Sequence, residues 1–329
     1  MTDAIRAEGL VKRFKGQTAL GGVDLTARTG AVLGVLGPNG SGKTTTVRIL
    51  ATLLQPDSGH AVVGGYDVVR EPHQVRRQIG LTGQYAAVDE DLTGTQNLVL
   101  IARLLGFSRS AAKVRAGELM DRFALAFAAD RPVKTYSGGM RRRLDLAASL
   151  VGRPSLLYLD EPTTGLDPHS RNELWDVVRT LVDDGVTVLL TTQYLEEADQ
   201  LADDIAVLDR GEVISRGTPD ELKARAGSQV LQVRPLESAR LEQVGRIVED
   251  VTGSEVRSGE GAANASVTDT TVMPEVVRRL DDEGIAVAEL ALRRPSLDEV
   301  FLALTGHTAE NVPDSGGAAG AAETERTHA

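Results

Sequence analysis

At 329 residues and 41% hydrophobic content, the chain has room for one large domain and a smaller one, with an ordinary soluble composition. A net charge of −11 fits poorly with gripping nucleic acid, and the absence of cysteine removes disulfide frameworks and thiolate metal sites. No apolar run approaches the roughly 18 residues of a membrane helix, and Met1-Thr2-Asp3-Ala4-Ile5-Arg6 lacks the apolar core of a signal peptide.

The first predicted strand covers residues 5–11. A second apolar run, 31–36, leads directly into Gly37-Pro38-Asn39-Gly40-Ser41-Gly42-Lys43-Thr44-Thr45, and a helical pattern follows over 45–54. Strand, Gly-x-x-x-x-Gly-Lys-Thr and helix in that order read as a phosphate-binding loop. The glycines let backbone N–H groups face a phosphate, and the helix N-terminus adds roughly half a positive charge. Lys43 can reach the β- and γ-phosphates and the Thr44 hydroxyl can ligate Mg²⁺. The bland alternative, a glycine-rich turn with a chance lysine, arises on the order of once in a hundred chains of this length. A nucleoside triphosphate is therefore the expected ligand.

From about 91 to 151 the pattern changes. Helices are predicted at 98–105, 114–127 and 140–150 with no strand between them, so a helical subdomain, about 85–152, is inserted into the α/β core. Tyr136-Ser137-Gly138-Gly139-Met140 opens the last of these helices. Two glycines and a hydroxyl at a helix start suit an anion, although a serine there also serves as a plain cap. The strand at 156–159 ends in Asp160-Glu161-Pro162. Asp160 can hold the water shell of Mg²⁺, and Glu161 is suited to polarise a water for in-line attack on a γ-phosphate. Further strands are predicted at 187–190 and 205–208. Short, continuously apolar strands separated by helices imply an α/β layer with a largely parallel core sheet.

After Gly227 a small α+β unit is predicted over 227–306, with strands at 230–233, 265–267 and 287–292, helices at 241–251 and 273–280, and a closing helix at 297–304. It contains no catalytic spacing. Residues 307–329, rich in Gly, Ala and Thr, read as a disordered tail.

The phosphate loop, the Ser-Gly-Gly segment, the Asp-Glu strand and the turn Gly165-Leu166-Asp167 occur in the order and spacing of the ABC-type ATPases, which residues 4–225 resemble. The resemblance implies a P-loop NTPase fold spanning 1–226. It implies that Phe14 stacks on adenine, a contact worth about 1–3 kcal/mol. It implies that Gln84 touches Mg²⁺ or the attacking water, so that Thr44, Gln84 and Asp160 form the metal set. By the same resemblance Tyr136, Ser137, Gly138 and Gly139 belong to the signature that meets the γ-phosphate of an opposite protomer, and Asp167 meets its counterpart across the dimer. With Glu161, the resemblance implies that Gln84 and Gln193 complete the catalytic set.

Gln193 is a departure, since the family usually has histidine there. A glutamine amide can donate a hydrogen bond to a γ-phosphate but cannot carry a proton, which places more of the chemistry on Glu161. Of two readings, an impaired site or a subgroup that uses glutamine, the second is favoured. Gln193 and the segment Pro295-Ser296-Leu297-Asp298-Glu299-Val300-Phe301-Leu302-Ala303-Leu304-Thr305-Gly306 resemble the daunorubicin/doxorubicin-resistance type of drug-export ATPase.

One phosphate loop and one signature per chain imply a head-to-tail homodimer with two ATP at its interface. With no membrane span in the chain, the resemblance implies a separate multi-span permease that binds the transported compound, and a peripheral place on the cytoplasmic face of the cell membrane. Export of polysaccharide or lipid shares nearly all the motifs and is the alternative. An ATPase acting on nucleic acid or the ribosome is disfavoured by the acidic balance and by the lack of a second cassette, coiled-coil insertions or zinc-binding cysteines.

Overall fold

The computed structural model describes residues 3–83, 88–225, 229–259, 261–267 and 271–305. Gln84 and the predicted tail lie outside the described residues. The chain begins with a hairpin, β1 (Asp3–Phe14) and β2 (Gln17–Arg28), whose tight turn places Lys15 at φ 45° and Gly16 at φ 88°. Two successive positive φ angles are what a two-residue hairpin needs to match strand twist. After β3 (Val32–Leu36) and α1 (Lys43–Leu50) come β4 (Ser58–Val63), β5 (Tyr66–Asp67), α2 (Pro72–Gln78) and β6 (Ile79–Thr82). The antiparallel sheet β2-β1-β4-β5 packs its alternate apolar side chains, among them Ile5, Leu10, Leu25 and Val63, against α1 and the central strands. Its second strand escapes sequence reading because Gly21-Gly22 interrupts the alternation.

The helical block follows as α3 (Gly94–Leu104), α4 (Arg109–Arg122) and α5 (Gly138–Ser149). Each begins earlier than its apolar pattern, because a cap fixes the start. Thr93 and Gln96 form a reciprocal capping box, and the Ser108 and Ser137 hydroxyls accept from the backbone N–H groups of Ala111 and Met140. The helix expected to run to 127 stops at 122, and Ala124 turns to φ 50°. Next are β7 (Leu156–Asp160), α6 (Pro168–Asp183), β8 (Thr187–Thr192), α7 (Leu195–Leu201), β9 (Asp204–Asp209), β10 (Glu212–Gly217) and α8 (Pro219–Arg225).

The main sheet has the order β10-β9-β3-β8-β7-β6 and is parallel except for β10. All residues of β3, β7 and β8 are buried, as expected of strands covered on both faces. The fold is therefore the P-loop NTPase α/β architecture with an inserted helical subdomain.

The rest of the described chain is β11 (Gln229–Pro235), α9 (Leu241–Thr252), β12 (Val256–Gly259), β13 (Ala262–Val267), α10 (Val272–Asp282), β14 (Val287–Arg293) and α11 (Leu297–Thr305). The strands pair antiparallel in the order β12-β13-β11-β14, a ferredoxin-like βαββαβ unit with its own apolar cluster under α9 and α10. The closing helix does not join that cluster. Leu297, Val300 and Phe301 of α11 are buried with Leu201 and Leu222, against α7 and α8, in the core shared with the ATPase layer. Ser296 and Glu299 form a capping box at its start, and Arg293 grips Glu299 with two parallel 2.9 Å hydrogen bonds.

Candidate functional site

The C-terminal ends of adjacent parallel strands converge on one edge of the main sheet, where ligands sit in open α/β folds. β3 releases the phosphate loop, β7 ends in Asp160, and β8 ends one residue before Gln193. Backbone bonds fix the three loops to one another. The Gly37 N–H donates to the Thr192 carbonyl at 3.3 Å, and the Glu161 N–H donates to the Thr191 carbonyl at 3.0 Å.

Sterics explain two glycines of the loop. A side chain at Gly37 would lie 2.2 Å from the Leu208 carbonyl oxygen, and Gly42, at φ 110°, would press one onto Leu20 and the Ala19 carbonyl. With Gly42 in this conformation α1 starts at Lys43. The Thr46 N–H makes the first bond of the helix, to the Gly42 carbonyl, so the N–H groups of Lys43, Thr44 and Thr45 precede any intrahelical acceptor. The Ser41 hydroxyl is buried with no hydrogen-bond partner among the described residues. A row of free N–H groups and an unpartnered hydroxyl at a helix start fit the phosphates of a nucleotide.

Lys43 is 4% exposed. Its ammonium donates to the Gly37 carbonyl at 2.7 Å and the Pro38 carbonyl at 3.1 Å, and pairs with Glu161 Oε1 at 3.3 Å. Burial pulls its pKa below the ordinary value, while the Glu161 and Asp160 carboxylates push it back up. The Asp160 carboxylate accepts from the Thr191 hydroxyl at 2.5 Å and lies 3.4 Å from the Thr44 hydroxyl. One carboxylate and one hydroxyl at a phosphate loop match how Mg²⁺ is held beside substrate phosphates, without a closed protein cage. No group of three or more metal-binding side chains occurs among the described residues.

A cleft of about 340 Å³ runs from Phe14 across Gln17, Thr18 and Ala19 to Asn39, Gly40, Gly42, Lys43, Thr44, Thr45 and Glu161. Phe14 is 45% exposed at its rim, with the Lys12 ammonium 5.6 Å from its ring centre. Ser137, Gly138, Gly139 and Asp167 are not in this cleft. Ser137 caps α5, and Asp167 caps α6 by accepting from the Ser170 N–H and hydroxyl, which hold its pKa down. Gly138 lines a second cavity, about 350 Å³, which shares Glu161 with the first.

Tyr136 is placed differently from the residues that follow it. Its ring is buried in the helical subdomain and its hydroxyl donates to the Ala128 carbonyl at 2.6 Å, which leaves the side chain no surface for a nucleotide. Three groups were not legible beforehand: the Gln17–Ala19 wall, Thr191, and Arg142, whose guanidinium spans the back of the site. The run Arg141-Arg142-Arg143 directly after the signature was the available signal for the last.

A family model described as ABC transporter matches residues 20–164, and one described as ATP-binding protein DrrA1-3-like, C-terminal domain, matches 217–305. The Daunorubicin/doxorubicin resistance ATP-binding protein DrrA of Streptomyces peucetius is 54% identical over 312 residues, covering 94% of both chains. The chain belongs to the ABC transporter family as one of its ATP-binding proteins, and it binds and hydrolyses ATP. The Doxorubicin resistance ATP-binding protein DrrA of Mycobacterium tuberculosis is 48% identical over 320 residues, 94% of this chain and 96% of that one. A solved ATP-binding cassette, dimeric in a post-hydrolysis state with ADP and Pi, superposes with a TM-score of 0.60 at 25% identity, covering 65% of this chain and 98% of the other.

Proposed function

We propose that this chain is the ATPase subunit of an exporter of hydrophobic, drug-like compounds, working as a homodimer on a separate multi-span permease at the cytoplasmic face of the membrane. The observation that carries the export reading is similarity along 94% of the chain, C-terminal unit included, to a daunorubicin/doxorubicin resistance protein. No helix among the described residues is long and apolar enough to cross a membrane, which is compatible with a separate permease.

In this reading the loop N–H groups and Lys43 bind the β- and γ-phosphates, whose oxygens compete with the Gly37 and Pro38 carbonyls for the ammonium. Phe14 stacks on the base. Thr44, Asp160 and Gln84 would hold Mg²⁺, which when bound neutralises charge on the phosphates. Glu161 takes the proton of the attacking water, and the Gln193 amide donates to the γ-phosphate. Ser137, Gly138 and Gly139 serve the nucleotide of the partner protomer. The dimeric relative with ADP and Pi supports that arrangement, as does the separation of the signature from the cleft of its own chain.

Glu161→Gln is the test. Loss of a positioned general base removes about 10²–10⁴ of rate, so phosphate release should fall at least ~100-fold while ATP binding persists. Near-normal turnover removes Glu161 from the role. Cells carrying the chain and its permease should lose daunorubicin tolerance with the same substitution; unchanged tolerance in a hydrolysis-dead variant defeats the export reading.

A further inference from the structure

Arg142 lies on the second turn of α5, with its side chain 16% exposed at the wall of the cavity shared with Glu161. Its guanidinium spends its donors on main-chain carbonyls. Nε donates to the Pro162 carbonyl at 2.6 Å, Nη2 to the carbonyls of Glu161 at 3.1 Å and Asp160 at 3.4 Å, and Nη1 to that of Gly83 at 3.0 Å. The buried Asp145, 3.6 Å away and one turn further along the helix, orients the fork. The bonds to carbonyls fix the path of the backbone.

The path they fix is unusual. Glu161 has φ 50°, in the left-handed region, which costs a residue with a Cβ about 1–2 kcal/mol. Its N–H is tied to the Thr191 carbonyl of β8 on one side, and Arg142 ties its carbonyl and those flanking it on the other. The twisted peptide is thereby clamped from two elements, and the twist sets the direction in which the carboxylate leaves the strand. The fourth carbonyl belongs to Gly83, the residue before Gln84.

We propose that Arg142 is a positioning residue for hydrolysis, holding the strained Glu161 peptide so that its carboxylate faces the cleft. It also makes that geometry depend on the placement of α5, the helix that starts at Ser137. The proposal rests on Glu161 being the general base. Lysine cannot replace the group, because a single ammonium cannot span carbonyls on two loops as a planar fork does.

The test uses the full chain with Arg142→Ala and Arg142→Lys, each alone and combined with Glu161→Gln, read by ATP binding, steady-state phosphate release and single-turnover hydrolysis. Displacing a catalytic group by an ångström costs on the order of 10²-fold. Arg142→Ala should therefore lower kcat about 10–100-fold with KM for ATP and ATP affinity within ~3-fold, and Arg142→Lys should restore only a minor part. In the Glu161→Gln background neither substitution should reduce single-turnover hydrolysis further, since the group being positioned is already disabled. A raised KM with unchanged kcat, full rescue by lysine, or an independent further loss in the double variant overturns the proposal. If Arg142→Ala does not fold, the lysine variant decides by the same criteria. Wild-type hydrolysis in Glu161→Gln alone refutes the reading of Glu161 and this proposal with it. Loss there, with wild-type kcat in both Arg142 variants, refutes the proposal only.

Discussion

Gln193 leaves the sheet between the two loops that bear Lys43 and Glu161, because the carbonyls of Thr192 and Thr191 just before it accept from Gly37 and Glu161. An amide at this point can sense a γ-phosphate by hydrogen bonding alone. Gln193→Ala should then lose one charge-assisted bond, roughly 1.5–3 kcal/mol or about 10–150-fold in phosphate release, while Gln193→His retains substantial activity. Equal rates for wild type and the alanine variant end the sensor reading. Lys43 and Asp160 stand out in the sequence because each sits where an apolar strand run meets a turn or helix start, although Asp160's partners Thr44 and Thr191 are far away in sequence. Arg142 does not, since its acceptors are backbone carbonyls as far away as Gly83 and no spacing encodes a carbonyl. Tyr136 shows that adjacency to Ser137 does not fix where a side chain packs, since its ring is buried while Ser137 caps α5.

Between elements, the contact of α6 with α7 contains a charge that no pattern announces. Glu197 of α7 is fully buried, and Trp175 Nε1 of α6 donates to its Oε1 at 3.3 Å. Burial pushes its pKa up from the ordinary 4.5, against the pull of the Thr192, Trp175 and Thr163 side chains. A carboxyl whose native pKa lies above its unfolded value favours the native state when protonated. Its stabilisation is complete below 4.5 and is lost as pH rises through the native value. Glu197→Gln keeps the shape without the charge. Thermal unfolding from pH 4.5 upward should show the variant gaining on the wild type until the native pKa is passed, then a constant gap; a gap independent of pH contradicts this. At this scale the buried strands β3, β7 and β8 were readable as apolar runs, while helix starts were displaced toward their caps.

Across the whole molecule, periodicity identified the last helix but not what it packs against. An apolar stripe reports that a face is buried, not what buries it, and α11 chose α7 and α8 over the sheet nearest in sequence. Phe301, 1% exposed, is the largest side chain it inserts. Phe301→Ala should cost about 3–5 kcal/mol, and the loss should appear in the unfolding of the ATPase layer rather than as an early, separate transition. A shift below about 1 kcal/mol, or melting confined to the C-terminal unit, contradicts it. The same helix changes how that unit can move. A module hung from a single peptide link swivels about it freely. This one is entered from α8 and left through α11, and both attachments lie on one body, with Arg294 and Asp220 paired at 3.4 Å between them. Held at more than one place, the ferredoxin-like unit has its orientation tied to that of α7 and α8.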